Sequence, residues 1–208
     1  MSLIRKGAVP VLAALCAALM LTACGKGTKE RPTIAEDDRP YGATMREDKK
    51  SYAVPMSYDR RFLDEEQIGK IADLYAAMQN SDAALYQGTT LPFYQRYQQE
   101  KVYGLESPEA LIGHLHSMVA DRSAEDFQYS MVVISDIAAN PKAGTLRNVI
   151  EMLEDAYDGS GSFEDSLLES YDMTVEWHIS YNDGAENLMV DNQHVFLFRT
   201  ADGLFALV

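Results

Sequence analysis

Apolar positions recur at helical spacing through the first two thirds of the chain beyond residue 61. The strongest pattern repeats every three or four positions and predicts one long helix, whose apolar residues are Ile68, Ile71, Leu74, Tyr75 and Met78. Asp64 can cap this helix, and Gln67 can complete a capping box three positions later. Shorter patterns of the same kind predict further helices near residues 83–86, 91–101 and 107–119.

The spacing of apolar residues changes from helical to alternating at Phe127. Phe127, Tyr129, Met131 and Val133 would share the apolar face of one strand, because successive side chains of a strand point to opposite faces. Helical spacing then returns over residues 140–157, which predicts another helix after this strand.

The rest of the chain has the pattern of an antiparallel meander. Its three strands are predicted near residues 173–180, 187–200 and 204–208, with turns at 182–184 and 202–203. Because each strand has one apolar and one polar face, we expect helices against one side of the sheet. The sequence therefore predicts an α+β fold in which amino-terminal helices pack on a curved antiparallel sheet that ends in a carboxy-terminal meander.

The first 24 residues have the three parts of a secretory signal. A basic start at Arg5 and Lys6 precedes an apolar stretch, residues 8–23, and the stretch ends in Leu-Thr-Ala-Cys at residues 21–24. This tetrapeptide resembles the lipobox of bacterial lipoproteins. The resemblance implies a signal peptide at residues 1–23 and a diacylglycerol on Cys24. A transmembrane helix is the alternative, but 16 residues interrupted by Pro10 are fewer than the roughly 20 that span a bilayer.

The two cysteines are Cys16, within the predicted signal peptide, and Cys24. An exported domain would then have no disulfide, so its core alone must stabilise it. Residues 24–61 are polar and contain three prolines, which predicts a lipidated cysteine followed by a flexible tether. The tyrosines between residues 52 and 58 leave open that this part packs on the domain. A single α+β domain is expected at residues 62–208.

The predicted domain is strongly acidic. The whole chain has a formal charge of −14, whereas residues 62–208 contain 25 Asp/Glu and seven Lys/Arg, a formal charge of −18. A field of this sign repels nucleic-acid phosphates and anionic lipid head groups, so we expect no nucleic-acid partner. Solubility at a crowded cell surface is the simpler explanation of the charge, and a dedicated cationic ligand is the alternative.

The order of elements resembles the cone-shaped fold of nuclear transport factor 2-like and polyketide-cyclase-like proteins. The helix end at residues 75–82, the turn at 83–86 and the closing hairpin at 202–205 carry this resemblance. The extra helix at residues 108–120 departs from the simplest family pattern. The resemblance implies a pocket between sheet and helices, which some members use for isomerisation, dehydration or cyclisation and many others use only for binding.

Several aromatic side chains are candidates for lining such a pocket. Together with neighbouring glutamines, tyrosines can stack on a sugar or form an apolar pocket with a polar rim. The candidate ligand-binding aromatic residues are Tyr75, Tyr86, Phe93, Tyr97 and Trp177. Their helical or strand spacing also fits ordinary core positions, which is the alternative interpretation.

Glu176 and His178 share one face of a predicted strand, and Asp191 or His194 on the next strand could approach them. A histidine beside a carboxylate can act as a general base, so these two residues are also ligand-site candidates. The alternative is a solvated outer face with a cross-strand ion pair, because they alternate with the apolar Trp177. The spacing required for a zinc, calcium or phosphate-binding motif is not found, and we expect neither metal nor cofactor.

These observations predict a lipid-anchored, extracytoplasmic protein held at the membrane through Cys24. Its domain is expected to bind a small molecule or an envelope protein without catalysis. The host would place it on the outer face of the cell membrane, or at the outer membrane if two membranes are present. The alternatives are a cyclase- or isomerase-type enzyme that uses the Glu176 and His178 pair, and a structural adaptor in an envelope complex.

Overall fold

A computed structural model of the chain describes residues 39–123, 127–140, 144–181 and 186–208. The predicted signal peptide, Cys24 and the predicted turn at 182–184 lie outside the described residues. Residues Pro40–Val208 form one compact unit. In the part of the chain that the structure describes, no helix combines the length and apolarity needed to cross a bilayer.

The predicted helices are confirmed, and their sequence signals explain where they begin. The Asp64 carboxylate accepts a hydrogen bond from the Gln67 amide while the Gln67 side chain accepts one from the Asp64 amide, so the capping box is present. Pro92 occupies the first turn of the third helix, where its missing amide hydrogen costs nothing. The helices are α1 Glu65–Asn80, α2 Ala83–Thr89, α3 Pro92–Tyr97, α4 Pro108–Ser123 and α5 Thr145–Ala156.

One π-helical turn, Gln98–Val102, continues α3, and a short 3-10 helix, Glu164–Ser166, follows α5. The six strands are β1 Met45–Asp48, β2 Met56–Asp59, β3 Gln128–Ala139, β4 Glu169–Ser180, β5 Glu186–Thr200 and β6 Gly203–Leu207. They form one open sheet in chain order, in which only the β2–β3 pair is parallel. The predicted α+β class and the carboxy-terminal meander are therefore confirmed.

The predicted boundary between tether and domain at residue 62 is wrong. Strands β1 and β2 lie within the segment predicted to be flexible, and β2 pairs with β3. Met56 is fully buried and Tyr58 is 4% exposed, so β2 belongs to the core. The Asp59 carboxylate accepts hydrogen bonds from the Gly42 amide at 2.9 Å and the Thr44 hydroxyl at 2.6 Å, which ties the preceding turn to this strand.

The predicted apolar face of β3 is correct at Tyr129 and wrong at Met131 and Val133. Tyr129 lies opposite Ile179, but Met131 lies opposite His178, so one extra residue interrupts the register as a bulge. Val132 and Ile134 are consequently the buried residues beyond the bulge, while Met131 and Val133 are half-buried.

Helices cover both faces of the sheet, whereas the sequence predicted one covered face. On β5, Val195 and Leu197 belong to a large central core with α1, while Phe196 and Phe198 belong to a second cluster with α5. Neighbouring strand residues point to opposite faces, so the two clusters lie on opposite sides of the sheet. Leu146, in α5, is fully buried in the second cluster.

Candidate functional site

The space between the sheet and α1, where the cone resemblance implies a pocket, is occupied by packed side chains. Tyr75 from α1 is fully buried, Trp177 from β4 is 3% exposed, and neither lines a described cavity. The Tyr75 hydroxyl and the Trp177 indole nitrogen both donate to the Gln193 side-chain oxygen, at 2.9 and 2.8 Å. Tyr129 packs edge-on against both rings. Two predicted ligand residues therefore stabilise the core instead.

Tyr86, another predicted ligand residue, is buried and forms a hydrogen bond within the protein. Its hydroxyl donates to Gln98 at 2.8 Å, and the Gln98 amide donates to the Tyr94 hydroxyl at 3.0 Å. Burial raises the pKa of Tyr94 to about 12 and raises that of Tyr86 further. Both phenols stay neutral in the physiological range, and the chain of hydrogen bonds joins α2 to the π-helical turn.

Phe93 and Tyr97, the remaining predicted aromatic residues, border cavities at the surface of α3. One cavity, of about 650 Å³, lies between α3, the segment after α5 and the turn between β5 and β6. We call it the groove. Its apolar walls are formed by Leu91, Phe93, Tyr157, Phe163, Leu168 and Phe205. Tyr97 lines a smaller cavity of about 460 Å³ on the other side of Arg96.

Three aromatic rings form the floor of the groove. The ring centroid of Phe93 lies 5.2 Å from that of Tyr157 and 5.3 Å from that of Phe163, and both pairs meet edge to face. Phe163 also packs on Phe198 of the sheet at 5.6 Å, which anchors the floor to the second core cluster. A Cβ atom at Gly159 would lie 2.2 Å from the Tyr157 ring. Glycine at this position therefore permits the ring to pack over the backbone.

Glu154 holds the loop that carries Phe163. Its carboxylate accepts hydrogen bonds from the Glu164 amide at 2.9 Å, the Ser162 hydroxyl and the Phe163 amide at 2.9 Å. These hydrogen bonds, with that from the Glu164 amide the largest contribution, lower the pKa of Glu154. A second link comes from Arg147 of α5, which pairs with Glu164 at 2.6 Å. The 3-10 helix under the groove is thus fixed to α5 from two sides.

The rim of the groove is acidic. One guanidinium, Arg96, and three carboxylates, Asp158, Asp165 and Asp202, lie along it. Arg96 forms an ion pair with Asp158, and the same two residues and Phe93 also line the 460 Å³ cavity. The ion pair therefore stands between the two cavities.

Glu176 and His178 do not contribute to the groove. They alternate on β4 with Trp177, which is buried in the core toward α1, so they lie on the face turned away from α1, where both are half-buried and neither lines the groove. His194, expected near them, lies opposite Thr174 and its ring nitrogen is 2.6 Å from the Asp172 carboxylate. The cross-strand contact on this face joins His194 to Asp172, and it involves neither Glu176 nor His178.

No cluster of three or more metal-binding side chains occurs among the residues with described positions. Away from the groove, two acidic side chains pair with one arginine. Glu169 pairs with Arg199 at 3.2 Å, and Arg199 also pairs with Glu66 at 3.0 Å. These contacts connect β4 and β5 to the first turn of α1.

Sequence reasoning missed five wall residues of the groove, which are Leu91, Tyr157, Phe163, Leu168 and Phe205. Leu168 is 66% exposed although it is a large aliphatic residue. A signal was present, since Phe163 and Leu168 are apolar residues within an otherwise acidic and serine-rich stretch. Phe205 had no separate signal, because its strand alternates as any meander strand does.

Comparison with protein-family models, with curated proteins and with solved structures finds no significant match to this chain.

Proposed function

We propose that this protein is a lipid-anchored, extracytoplasmic binding protein whose groove holds the apolar part of a small ligand. The observation that carries the proposal is the groove itself, a cavity of about 650 Å³ with an aromatic floor. Ligand pockets for small molecules typically have volumes of about 300–1,000 Å³ and mostly apolar walls. The lipid anchor is supported by the lipobox-like residues 21–24.

The exposure of Leu168 supports a binding role for the groove. Its side chain is 66% exposed, and it adjoins the half-buried rings of Tyr157 and Phe205. Apolar area in a concave site gains free energy when a ligand covers it, at about 25 cal/mol per Å². The groove thus offers a ligand a continuous apolar surface.

The residue types around the groove favour binding over catalysis. The described residues that line it include no histidine, cysteine or lysine. The Ser166 hydroxyl donates to the Phe163 carbonyl at 2.6 Å and is therefore engaged in holding the 3-10 helix. Nucleophilic catalysis requires a nucleophile within hydrogen-bond reach of a base, and this lining supplies no such pair.

The binding proposal is tested with N-phenyl-1-naphthylamine, a neutral dye whose fluorescence rises in apolar sites. Residues 25–208, which contain the whole unit Pro40–Val208, are titrated as wild type and as Leu168→Gln. We expect the variant to bind about fivefold more weakly, because loss of one apolar wall costs about 1 kcal/mol. Met118→Gln is the control, since Met118 is 44% exposed and lies outside the groove. Equal weakening by both variants, or no dye binding at all, refutes the proposal.

The anchor is tested separately in cells. Cys24→Ala should leave an uncleaved precursor that incorporates no labelled palmitate, because the sulfur that would receive the diacylglycerol is absent. Palmitate incorporation by this variant would refute lipidation at Cys24. This result is independent of dye binding, so the anchor and the groove can fail separately.

A further inference from the structure

Two carboxylates at the rim of the groove have no cationic partner. Asp165 belongs to the 3-10 helix and Asp202 to the turn between β5 and β6, and both side chains are exposed. Among the described side chains, no Lys, Arg or His lies within the 4.0 Å ion-pair distance of either. The groove therefore combines an apolar floor with two unneutralised negative charges contributed by separate elements.

The arginines around the groove are already engaged. Arg147 pairs with Glu151 at 3.1 Å and with Glu164 at 2.6 Å. Arg96, the one cation in the lining, forms its ion pair with Asp158. Local rearrangement of these arginines toward Asp165 or Asp202 would break existing pairs, so the negative potential at the rim persists.

Resting on the proposed function, we propose that the ligand of the groove is a cationic amphiphile, a small molecule that joins an apolar ring or chain to a protonated amine. The apolar part would cover the floor made by Phe93 and Phe163, and the amine would lie at the rim near Asp165 and Asp202. The partly open rings of Tyr157 and Phe205 add attraction for a cation, because the face of an aromatic ring carries negative potential.

The charge of the surrounding domain acts in the same direction. Residues 40–208 contain 28 Asp/Glu and 12 Lys/Arg, a formal charge of −16, so an anionic ligand is repelled before it reaches the groove. The 460 Å³ cavity has a weaker preference, because Arg96 and Lys101 there offset two of its three carboxylates, Glu100, Asp155 and Asp158. The excess of negative charge is thus larger at the groove, where Asp165 and Asp202 have no cationic partner.

The test compares three ligands with the same phenylbutyl tail: 4-phenylbutylamine, 4-phenylbutanol and 5-phenylpentanoate. Each displaces N-phenyl-1-naphthylamine from residues 25–208, and the displacement gives its affinity. At low ionic strength we expect the amine to bind about fivefold more tightly than the alcohol and the acid to bind most weakly, since exposed ion pairs contribute modestly. In about 1 M NaCl the amine and alcohol should differ by less than about twofold, because the screening length falls to about 3 Å.

Two double variants separate the rim carboxylates from the overall charge. Asp165→Asn with Asp202→Asn should lower the affinity of the amine to about that of the alcohol. Glu106→Gln with Glu176→Gln removes the same number of charges outside the groove, and it should retain the preference. Circular dichroism of both proteins checks that each variant is folded.

Each outcome decides one of the two proposals. Equal affinity of amine and alcohol for the wild type, with both displacing the dye, overturns the cationic ligand and leaves the binding groove intact. Loss of the amine preference to the same extent in both double variants also overturns it, because the preference would then come from the overall field. If the dye itself does not bind, the proposed function fails first.

Discussion

The two faces of the sheet are packed differently, although the same strands contribute to both. Toward α1 the sheet is closed, since Tyr75 is fully buried, Trp177 is 3% exposed and Gln193 accepts hydrogen bonds from both. Toward α5 the second cluster is smaller, and Phe163 and Phe93 form the floor of an open groove. The face toward α1 is therefore filled by core side chains, whereas the face toward α5 leaves a groove beside its smaller core.

The largest expected effect is on the free energy of unfolding, and it is measured by removing one aromatic ring from each face of the sheet. Trp177→Ala should lower the free energy of unfolding by about 3–5 kcal/mol, because it leaves a large cavity in the closed core. Phe205→Ala should cost about 1–2 kcal/mol, because Phe205 is half-buried at the groove wall. Urea denaturation followed by circular dichroism measures both. Equal losses in the two variants would show that the faces do not differ in this way.

The second prediction concerns Asp59, which extends the closed face to the edge of the sheet. Its carboxylate is 1% exposed and pairs with the Arg61 guanidinium at 2.7 Å. Asp59→Asn should lower the free energy of unfolding by about 2–3 kcal/mol, because the 8% exposed side chain of Arg61 then lacks its carboxylate. Denaturation midpoints for wild type and variant at pH 7 measure this loss.

The pH dependence of that difference has a defined sign. Hydrogen bonds from the Arg61 guanidinium hold the pKa of Asp59 far below its ordinary value. A group whose pKa is depressed on folding stabilises the protein above its unfolded pKa, about 3.9, and this contribution is lost as the pH falls further. The gap between wild type and Asp59→Asn should therefore be constant near neutrality and shrink below about pH 4. A constant gap down to pH 2 would contradict the ion pair.

The smallest effect on stability, with a distinct effect on binding, is expected for Gly159→Ala. The added Cβ would meet the Tyr157 ring at 2.2 Å, so the ring must rotate away from the floor of the groove. We expect a change below about 1 kcal/mol in stability, since the ring is half-buried, but dye affinity reduced several-fold. Gly113→Ala is the control, because its new Cβ would have no neighbour within 4 Å. Unchanged dye affinity in Gly159→Ala would show that the Tyr157 ring does not contribute to dye binding in the groove.

Local signals in the sequence were sufficient where the structure depends on local contacts. The capping pair Asp64 and Gln67 and the apolar spacing from Ile68 to Met78 predicted α1, and the structure confirms both. The meander followed from alternation and turn residues, and it is confirmed as well. The signal peptide and the lipid on Cys24 stay predictions.

Local sequence patterns gave wrong predictions where a long-range contact or a single inserted residue determines the structure. Strand β2 has only four residues, all of them buried, and it lies in a polar, proline-containing stretch. Its place in the sheet depends on pairing with β3, which no local pattern shows. In β3, the bulge beside Ser130 exchanged the faces of Met131 and Val133, and alternation cannot reveal where a bulge occurs.

The candidate site was the least predictable part of the molecule. Phe93, Phe163 and Phe205 come from three separate segments, and only the folded chain brings them to one groove. Their spacing is the same as that of core residues, so the aromatic pattern could not distinguish Phe93 from Tyr75. In the structure, Tyr75 is enclosed in the core, whereas Phe93 borders the groove.

The parallel pairing of β2 with β3 has a consequence for biosynthesis. Met56 finds its partner Val132 only 76 positions later in the chain, so a ribosome must add the whole intervening segment before β2 can dock. Closing so long a loop is slow compared with forming helices. Until then Met56 lacks the strand neighbour that it has in the folded sheet.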